Sequence, residues 1–417
     1  MREIRPLAGE AEFEAFVGIA SNAYPGSKIV SEEDRQRLKQ RLVARGAAAD
    51  ISMEGLFEDG RLLGGMRLHD FTMNLRMARV PAGGVGFVAV DLLHKKRGVA
   101  KDLIGYFLRR CRARGQPIAM LYPFRPDFYK QMGFGYGAKI SKYSAAPADL
   151  PASGDRSAVR LLTAQDRERL AACYARFAAT RHGLLDKTPF EVDALLTAAE
   201  NRVYGYEQDG VLSGYLALGF TTDRPDSFLI NDILVKELVY ESRAALAGLL
   251  AFLRSQADQI RRVIFGVQDD ALHYLLRDPR DGSQQFIAGL YQQTNTQGLG
   301  IMYRAVDTRA LIGALAGCDF GGQSCAVKIA ARDSFLPENA GELVVRFDRG
   351  RPSLSDGAEH DVAIELDVAE LSSLLMGSVS FRSLYRYGLS EISDAGQVDA
   401  VSRLFAVDEP PICMTWF

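Results

Sequence analysis

Lys95-Lys96-Arg97-Gly98-Val99-Ala100 sets three cations and a glycine directly before an amphipathic run. Backbone amides at a helix N-terminus lack intrahelical partners and lie at the positive end of the helix dipole. A turn of the form basic-x-x-Gly-x-Ala exposes those amides, keeps side chains clear and adds positive charge, which suits a diphosphate. Basic residues on a solvated turn would look the same in isolation, so the context must decide. Further on, "FYKQMGFGYG" contains Tyr129. A phenol of ordinary pKa about 10 is protonated at neutral pH and can deliver a proton to a leaving group. Phe128, Tyr129, Phe134 and Tyr136 equally read as rings that pack this corner. The final residues, Cys413-Met414-Thr415-Trp416-Phe417, are apolar enough to be tucked in. An α-carboxylate of ordinary pKa about 3.5 is a weak base, and desolvation in a cleft would strengthen it.

The elements that must position these groups read from periodicity. "VGFVAVD" is a buried strand entered through Pro81-Ala82-Gly83-Gly84. After the basic turn, Val99, Leu103, Phe107 and Cys111 recur at spacings of four as one helical stripe, stopped by Gly115. "PIAMLYPF" is a second apolar strand, and "RPDFYKQMGFGYG" a short helix ending at Gly133. Upstream, Ser31 caps the helix "SEEDRQRLKQRLVARG", which Gly46 stops, and strands turn at Asp59-Gly60. The order is strand, basic glycine turn, helix, strand, short helix.

At 417 residues the chain is expected to hold two or three domains. The stretch "SAAPADLPASGDRSAV" reads as a linker, giving a first domain at 1–150. A fresh helix start at Asp307 or Thr308 gives a second domain at 151–305 and a third, α+β, at 306–417. The second repeats the strand–Asp-Gly–strand and strand-then-helix patterns of the first. Its junction reads "YESRAA", with no glycine and with Glu241 where a diphosphate would be repelled. One cofactor per chain is therefore expected.

Other chemistries lack their signatures. A net charge of −2 argues against a nucleic-acid-coating protein, and "LRRCRARG" reads as the solvated face of a helix. The five histidines form no metal-ligand spacing, so no metal is expected. "GVGFVA" matches Gly-x-Gly-x-x-Ala but enters a strand instead of leaving one for a helix, so a dinucleotide fingerprint lacks its context. There is no Walker loop and no Gly-x-Ser-x-Gly elbow. No apolar run reaches the ~18 residues of a membrane span, and the N-terminus does not read as a signal peptide. The five scattered cysteines fit a reducing compartment, so the expected location is cytoplasmic.

Strand, basic-x-x-Gly-x-Ala and helix together resemble the acyl-coenzyme A site of the GCN5-related N-acetyltransferases (GNAT). With "GGVGFVAV", "HKKRGVA", "FYKQMGFGYG", the terminal "PPICMTWF" and the three-part layout, the whole chain resembles the Eis (enhanced intracellular survival) family within that group. The resemblance implies an α/β and α+β architecture: tandem GNAT folds, each a mixed twisted sheet flanked by helices, then a sterol-carrier-protein-like α+β domain. It implies an acetyl-CoA-dependent N-acetyltransferase acting on a primary amine, either an aminoglycoside-like polyamine or a lysine side chain. Tyr129 would be the acid and the α-carboxylate of Phe417 the base. Cofactor contacts would fall on Val88, Ala89, Val90, Lys96, Arg97, Gly98, Val99, Ala100, Lys101, Phe124 and Arg125. The family also implies a homo-oligomer, often a hexamer. This sequence departs from the pattern at Lys95, where arginine or glutamine is usual, and at Phe124, where a small polar residue is common. The C-terminal domain supports an alternative from another class, a lipid-binding protein with a vestigial acetyltransferase. "LSSLLMGSVSFRSLYRYGL" would then line an apolar tunnel.

Overall fold

The computed structural model describes every residue except Ala47, Arg224, Pro225 and Ser227. It forms two compact units: Met1–Gly137 with Ile301–Asp408 and Trp416–Phe417, and Ala138–Gly300 with Glu409–Thr415. The chain leaves the first unit at Gly137, ahead of the Ala/Pro/Ser-rich stretch expected as the crossing.

In the first unit, β1 (Arg2–Pro6), α1 (Gly9–Ala23) and α2 (Glu32–Gly46) precede the long hairpin β2 (Ile51–Glu58), β3 (Arg61–Leu75) and β4 (Ala78–Val90). Ser31 Oγ accepts from the Asp34 amide and caps α2 as its sequence requires. Asp59 and Gly60 both have positive φ, the geometry that lets a two-residue turn follow the twist of its strands. The strand expected from Val85 is longer: β4 begins at Ala78 and takes in Pro81 to Gly84. Ladder pairing with β3 as far as Leu75↔Ala78 overrides the local turn composition. Then come α3 (Val99–Ala113), β5 (Ile118–Leu121), α4 (Pro126–Lys130) and β6 (Gly135–Tyr136). The stripe Val99, Leu103, Phe107 and Cys111 is fully buried against the sheet.

The second unit holds β7 (Lys139–Ala145), β8 (Val159–Leu161), α5 (Arg167–Ala179), α6 (Pro189–Thr197), β9 (Arg202–Gln208), β10 (Val211–Thr221), β11 (Asn231–Tyr240), α7 (Arg243–Arg254) and β12 (Ile260–Val267). A ribbon of β13 (Phe286–Ala288) and β14 (Tyr291–Gln292) and the strand β15 (Asn295–Leu299) complete it. Its sheet order is β15-β7-β12-β11-β10-β9-β8. With β16 (Met302–Ala305), the first unit's order is β1-β2-β3-β4-β5-β16-β6. Read from β1 and from β8 the two orders are the same topology, with β16 as the sixth strand of the first sheet and β7 as the sixth of the second. β7, immediately after β6, joins the second sheet, and β16, immediately after β15, joins the first.

Beyond β16 lie α8 (Thr308–Ala314), β17 (Cys325–Arg332), β18 (Gly341–Asp348), β19 (Arg351–Ser355), β20 (Val362–Asp367), α9 (Val368–Leu375), α10 (Phe381–Arg386), β21 (Ser390–Ile392) and α11 (Val398–Leu404). Asp307 caps α8 by accepting from the Ala310 amide. The five strands make one mixed sheet, β19-β18-β17-β20-β21. This α+β part is anchored to the first sheet by the buried Arg304, whose Nη2 donates to both Asp333 oxygens at 2.8 and 2.9 Å. At the β3–β4 turn, Arg76 donates to the carbonyls of Phe405 and Ala406, closing the end of α11.

Candidate active site

β4 and β5 run parallel from Ala82↔Ile118 to Val85↔Leu121, and there their pairing stops. β4 continues to Val90, so residues 86–90 face β5's side without a strand partner. A bulge sits at this point: Gly65 faces Ala89 but Arg67 faces Gly86, and Phe87 takes the extra place at φ 52°. An opened pair of strands with free backbone groups is a place where an extended amide-bearing chain can add to the sheet.

The turn that follows leads into α3 with Gly98 at φ 83° as its N-cap and no side chain capping it. The first-turn amides are therefore left for a ligand. Arg97 is held by Glu58 at 2.7 Å, and Arg2 links Glu58 (2.9 Å) to Asp102 (2.7 Å) in the first turn of α3. Lys95 and Lys96, both exposed, make no ion pair among the described residues. They are the uncommitted positive charges of the turn.

The chain end comes to the bulge. A Cβ built on Gly86 would stand 2.5 Å from the Phe417 carboxyl carbon and 2.6 Å from one of its oxygens. On Gly84 it would strike Phe71 at 2.5 Å and the Phe417 ring at 3.1 Å. A side chain at Gly86 displaces the terminus, and one at Gly84 displaces Phe71, on which the Phe417 ring packs. The Phe417 ring packs with its centroid 5.1 Å from Phe71, 5.3 Å from Tyr122 and 5.6 Å from His69. Trp416 stacks on Tyr122 at 4.8 Å and is otherwise open.

Tyr129 lies in α4, buried among Val85, Leu121, Met132 and Phe134. Burial pushes its hydroxyl up to about 12, so it holds its proton throughout the neutral range. Tyr24 stacks on Phe87 at 5.4 Å and donates to the Val88 carbonyl at 2.6 Å. Burial raises the Tyr24 hydroxyl most; charge on Tyr129 adds to that shift and the Arg67 cation opposes it. Tyr24 is thus the group that feels both Tyr129 and Arg67 at the bulge.

Residues 3–137 match the acetyltransferase (GNAT) domain family, residues 181–297 a second acetyltransferase (GNAT) domain, and residues 311–414 the sterol carrier protein domain. An uncharacterized N-acetyltransferase of Streptomyces griseus is 27% identical over 406 residues, covering 90% of this chain and 92% of that protein. N-acetyltransferase Eis of Mycobacterium tuberculosis is 24% identical over 344 residues, 79% of each chain. Among solved structures, a GCN5-related N-acetyltransferase from Kribbella flavida superposes with a TM-score of 0.80 at 22% identity, covering both chains fully. Eis1 from Mycobacterium abscessus does so with a TM-score of 0.77 at 24% identity, also over both chains. The chain is an Eis-like N-acetyltransferase of the GNAT family. Its architecture is two GNAT domains followed by a sterol-carrier-like domain, and GNAT domains imply use of acetyl-CoA.

In the first GNAT sheet the sequence-derived positions do not all present side chains to one place. Val88, Ala89 and Val90 line the unpaired edge of β4, and Tyr129 and Phe417 reach the same strand. Val99 is buried in the core and the Lys101 ammonium lies 5.6 Å from the Phe335 ring, so at 99–101 the backbone amides are what face the turn. Phe124 is exposed, and Arg125 stands at the N-cap position of α4 with its guanidinium paired to Asp127 and no capping side-chain bond. Sequence reasoning passed over Tyr24, Arg67, His69, Phe71, Gly84 and Gly86. A signal was present for three of these: in "MRLHDF", period-two alternation puts Arg67, His69 and Phe71 on one face of β3. The glycines of the "GVGFVA" decoy also have a structural reason, since they leave room for the chain's own terminus.

The second GNAT unit fills the corresponding places with its own groups. At the register break between β10 and β11, Glu237 is buried and accepts from Lys187 Nζ at 2.6 Å and from the Tyr215 hydroxyl at 2.7 Å. Ser242 caps α7 by accepting from the Ala245 amide, and Arg176 holds Glu241 at 2.7 Å. The segment Glu409–Thr415 covers this unit's core: Cys413 exchanges hydrogen bonds with the Gln268 amide, and Ile412 and Met414 pack on the cluster around Tyr215 and Val239.

Proposed function

We propose that this enzyme moves the acetyl group of acetyl-CoA to a primary amine by direct attack in a ternary complex formed at the first GNAT unit. The acceptor class is an aminoglycoside-like polyamine or a lysine side chain. The observation that carries this reading is the Phe417 carboxyl group lying on β4 at Gly86, where the strand leaves β5. Acetyl-CoA, when bound, supplies the acyl group activated as a thioester. The unpaired edge at Val88–Val90 would take its amides, and the α3 amides with Lys96 its diphosphate. The Phe417 carboxylate takes the proton from the attacking amine, which frees the nitrogen lone pair. Backbone amides of the β4 edge stabilise charge as it develops on the carbonyl oxygen. The Tyr129 hydroxyl gives its proton to sulfur as the carbon–sulfur bond breaks. A phenol of pKa about 12 is fully protonated for that step. The chain works as a cytoplasmic homo-oligomer, and a hexamer is the expected form.

The test is thiol release from acetyl-CoA over a panel of aminoglycosides, polyamines and lysine peptides, with intact protein and with Tyr129→Phe. Turnover on one amine class, lost in Tyr129→Phe at unchanged acetyl-CoA affinity, supports the reading. Equal turnover of the two proteins removes Tyr129 as the acid, and thiol release with none of the amines removes the acceptor class.

A further inference from the structure

Arg67 is a cation buried in β3, 9% exposed, and the mechanism so far gives it no task. Burial brings its guanidinium down to about 10, with Arg45 and Arg41 on α2 adding to the shift. A lone buried charge beside like charges is expensive to hold unless an anion or hydrogen bonds compensate it. Its Nε donates to His69 Nε2 at 2.9 Å. Its Nη2 stands 3.7 Å from the point above Gly86 that also lies 2.5 Å from the Phe417 carboxyl carbon. Guanidinium and terminal carboxylate therefore share one small space on the same strand face. His69 is itself fixed, stacked on Phe71 at 5.2 Å with its ring planes 6° apart and closed on another side by the Phe417 ring.

We propose that Arg67 is the positioning residue for the chain's own terminal carboxylate, holding it over Gly86 by charge while His69 fixes the guanidinium. The proposal rests on the reading of that carboxylate as the base. The arrangement combines one anion, one cation and one neutral acceptor around Gly86. His69 can only accept from Arg67 while neutral, and burial together with Arg67 and Arg45 brings its pKa down to about 3, so it stays neutral across any assay range. Arg41 and Arg45 from α2 and Tyr24 at the end of α1 act on Arg67, His69 accepts from it, Asp70 stands next to His69 on the same strand, and the Phe417 carboxyl group lies across the space over Gly86. Asp70 is already held by Arg110, Arg114 and Gln116, which leaves the Phe417 carboxylate to face the guanidinium. The guanidinium places and orients the carboxylate, and taking an opposite charge away from beside a carboxylate raises the pH at which it loses its proton.

The experiment compares the intact protein, Arg67→Gln, Arg67→Lys and a chain with two alanines appended after Phe417. The readouts are the pH profile of kcat/KM, acetyl-CoA affinity, and anisotropy of the single tryptophan, Trp416, which reports seating of the chain end. Expected for Arg67→Gln is a kcat/KM loss of about 10-fold or more, an acid limb moved up by about 1 pH unit, lower anisotropy and unchanged acetyl-CoA affinity. Arg67→Lys should recover part of each. Wild-type profile and anisotropy in Arg67→Gln overturn the proposal, as does a loss that Arg67→Lys does not rescue and that leaves the acid limb in place. Should Arg67→Gln not fold, His69→Phe removes the neutral acceptor instead, and the same shifts at smaller size are required. If the extended chain keeps full turnover, the base reading fails on its own. Anisotropy still decides whether Arg67 seats the terminus.

Discussion

The two GNAT sheets share one strand order, and each has a parallel strand pair connected through a helix, yet the two strand-to-helix junctions are built from opposite materials. In the first, β4 leaves β5 unpaired, Gly98 opens the helix amides, and Lys95 and Lys96 bring positive charge. In the second, Ser242 uses its own hydroxyl to satisfy an amide of α7, and Glu241 with Arg176 makes the entrance electrically closed. The bulges differ in the same sense. Gly86 keeps a space that the terminal carboxylate enters, whereas Glu237 fills its space with a buried, internally satisfied ion pair to Lys187. One fold can therefore keep an open space with unspent polar groups or build a packed core at the same position. The choice turns on whether the polar groups there are left for a ligand or paired within the chain.

Disturbing each side of this contrast has a different expected consequence. Lys187→Met leaves Glu237 buried without its cation and should lower unfolding free energy by about 3–5 kcal/mol, with turnover per folded molecule unchanged. Denaturant titration and kinetics on the same samples check both halves. Gly86→Ala puts a methyl group where the carboxylate sits; kcat should fall about 10³-fold while acetyl-CoA affinity moves little. Tyr129→Phe should lower kcat about 10²-fold, measured as thiol release, without adding a limb to the alkaline side below about pH 10. Lys96→Ala should weaken acetyl-CoA by only a few-fold, with a shallower dependence of Kd on salt. His69 adds a pH effect on stability. Its folded pKa is about 3 against an ordinary value near 6.5, so its contribution is complete above pH 6.5 and is lost as pH falls toward 3. Acid unfolding of His69→Phe should be correspondingly flatter.

The stretches proposed to carry the chemistry are legible in the sequence because they are local. Lys95 to Ala100 sits within one turn, and α3 declares itself by a stripe of four buried residues at equal spacing. The contrast with "YESRAA" was readable for the same reason, although the Ser242 cap and the Arg176 pairing were not. What escaped sequence reading is set by pairing between distant segments. Nothing local distinguishes β7 or β16 as strands that join the sheet of the other repeat. Pro81 and Gly83-Gly84 look like a turn, yet the ladder to β3 runs straight through them. Arg67 and His69 look like ordinary strand polar residues until the terminus, far away in sequence, is seen beside them.

A calorimetric titration of the intact chain with acetyl-CoA tests the contrast most directly. One site per chain is expected, weakened by Lys96→Ala and untouched by Glu241→Gln. Two equal sites per chain, or a single site that responds to Glu241→Gln and not to Lys96→Ala, would contradict it.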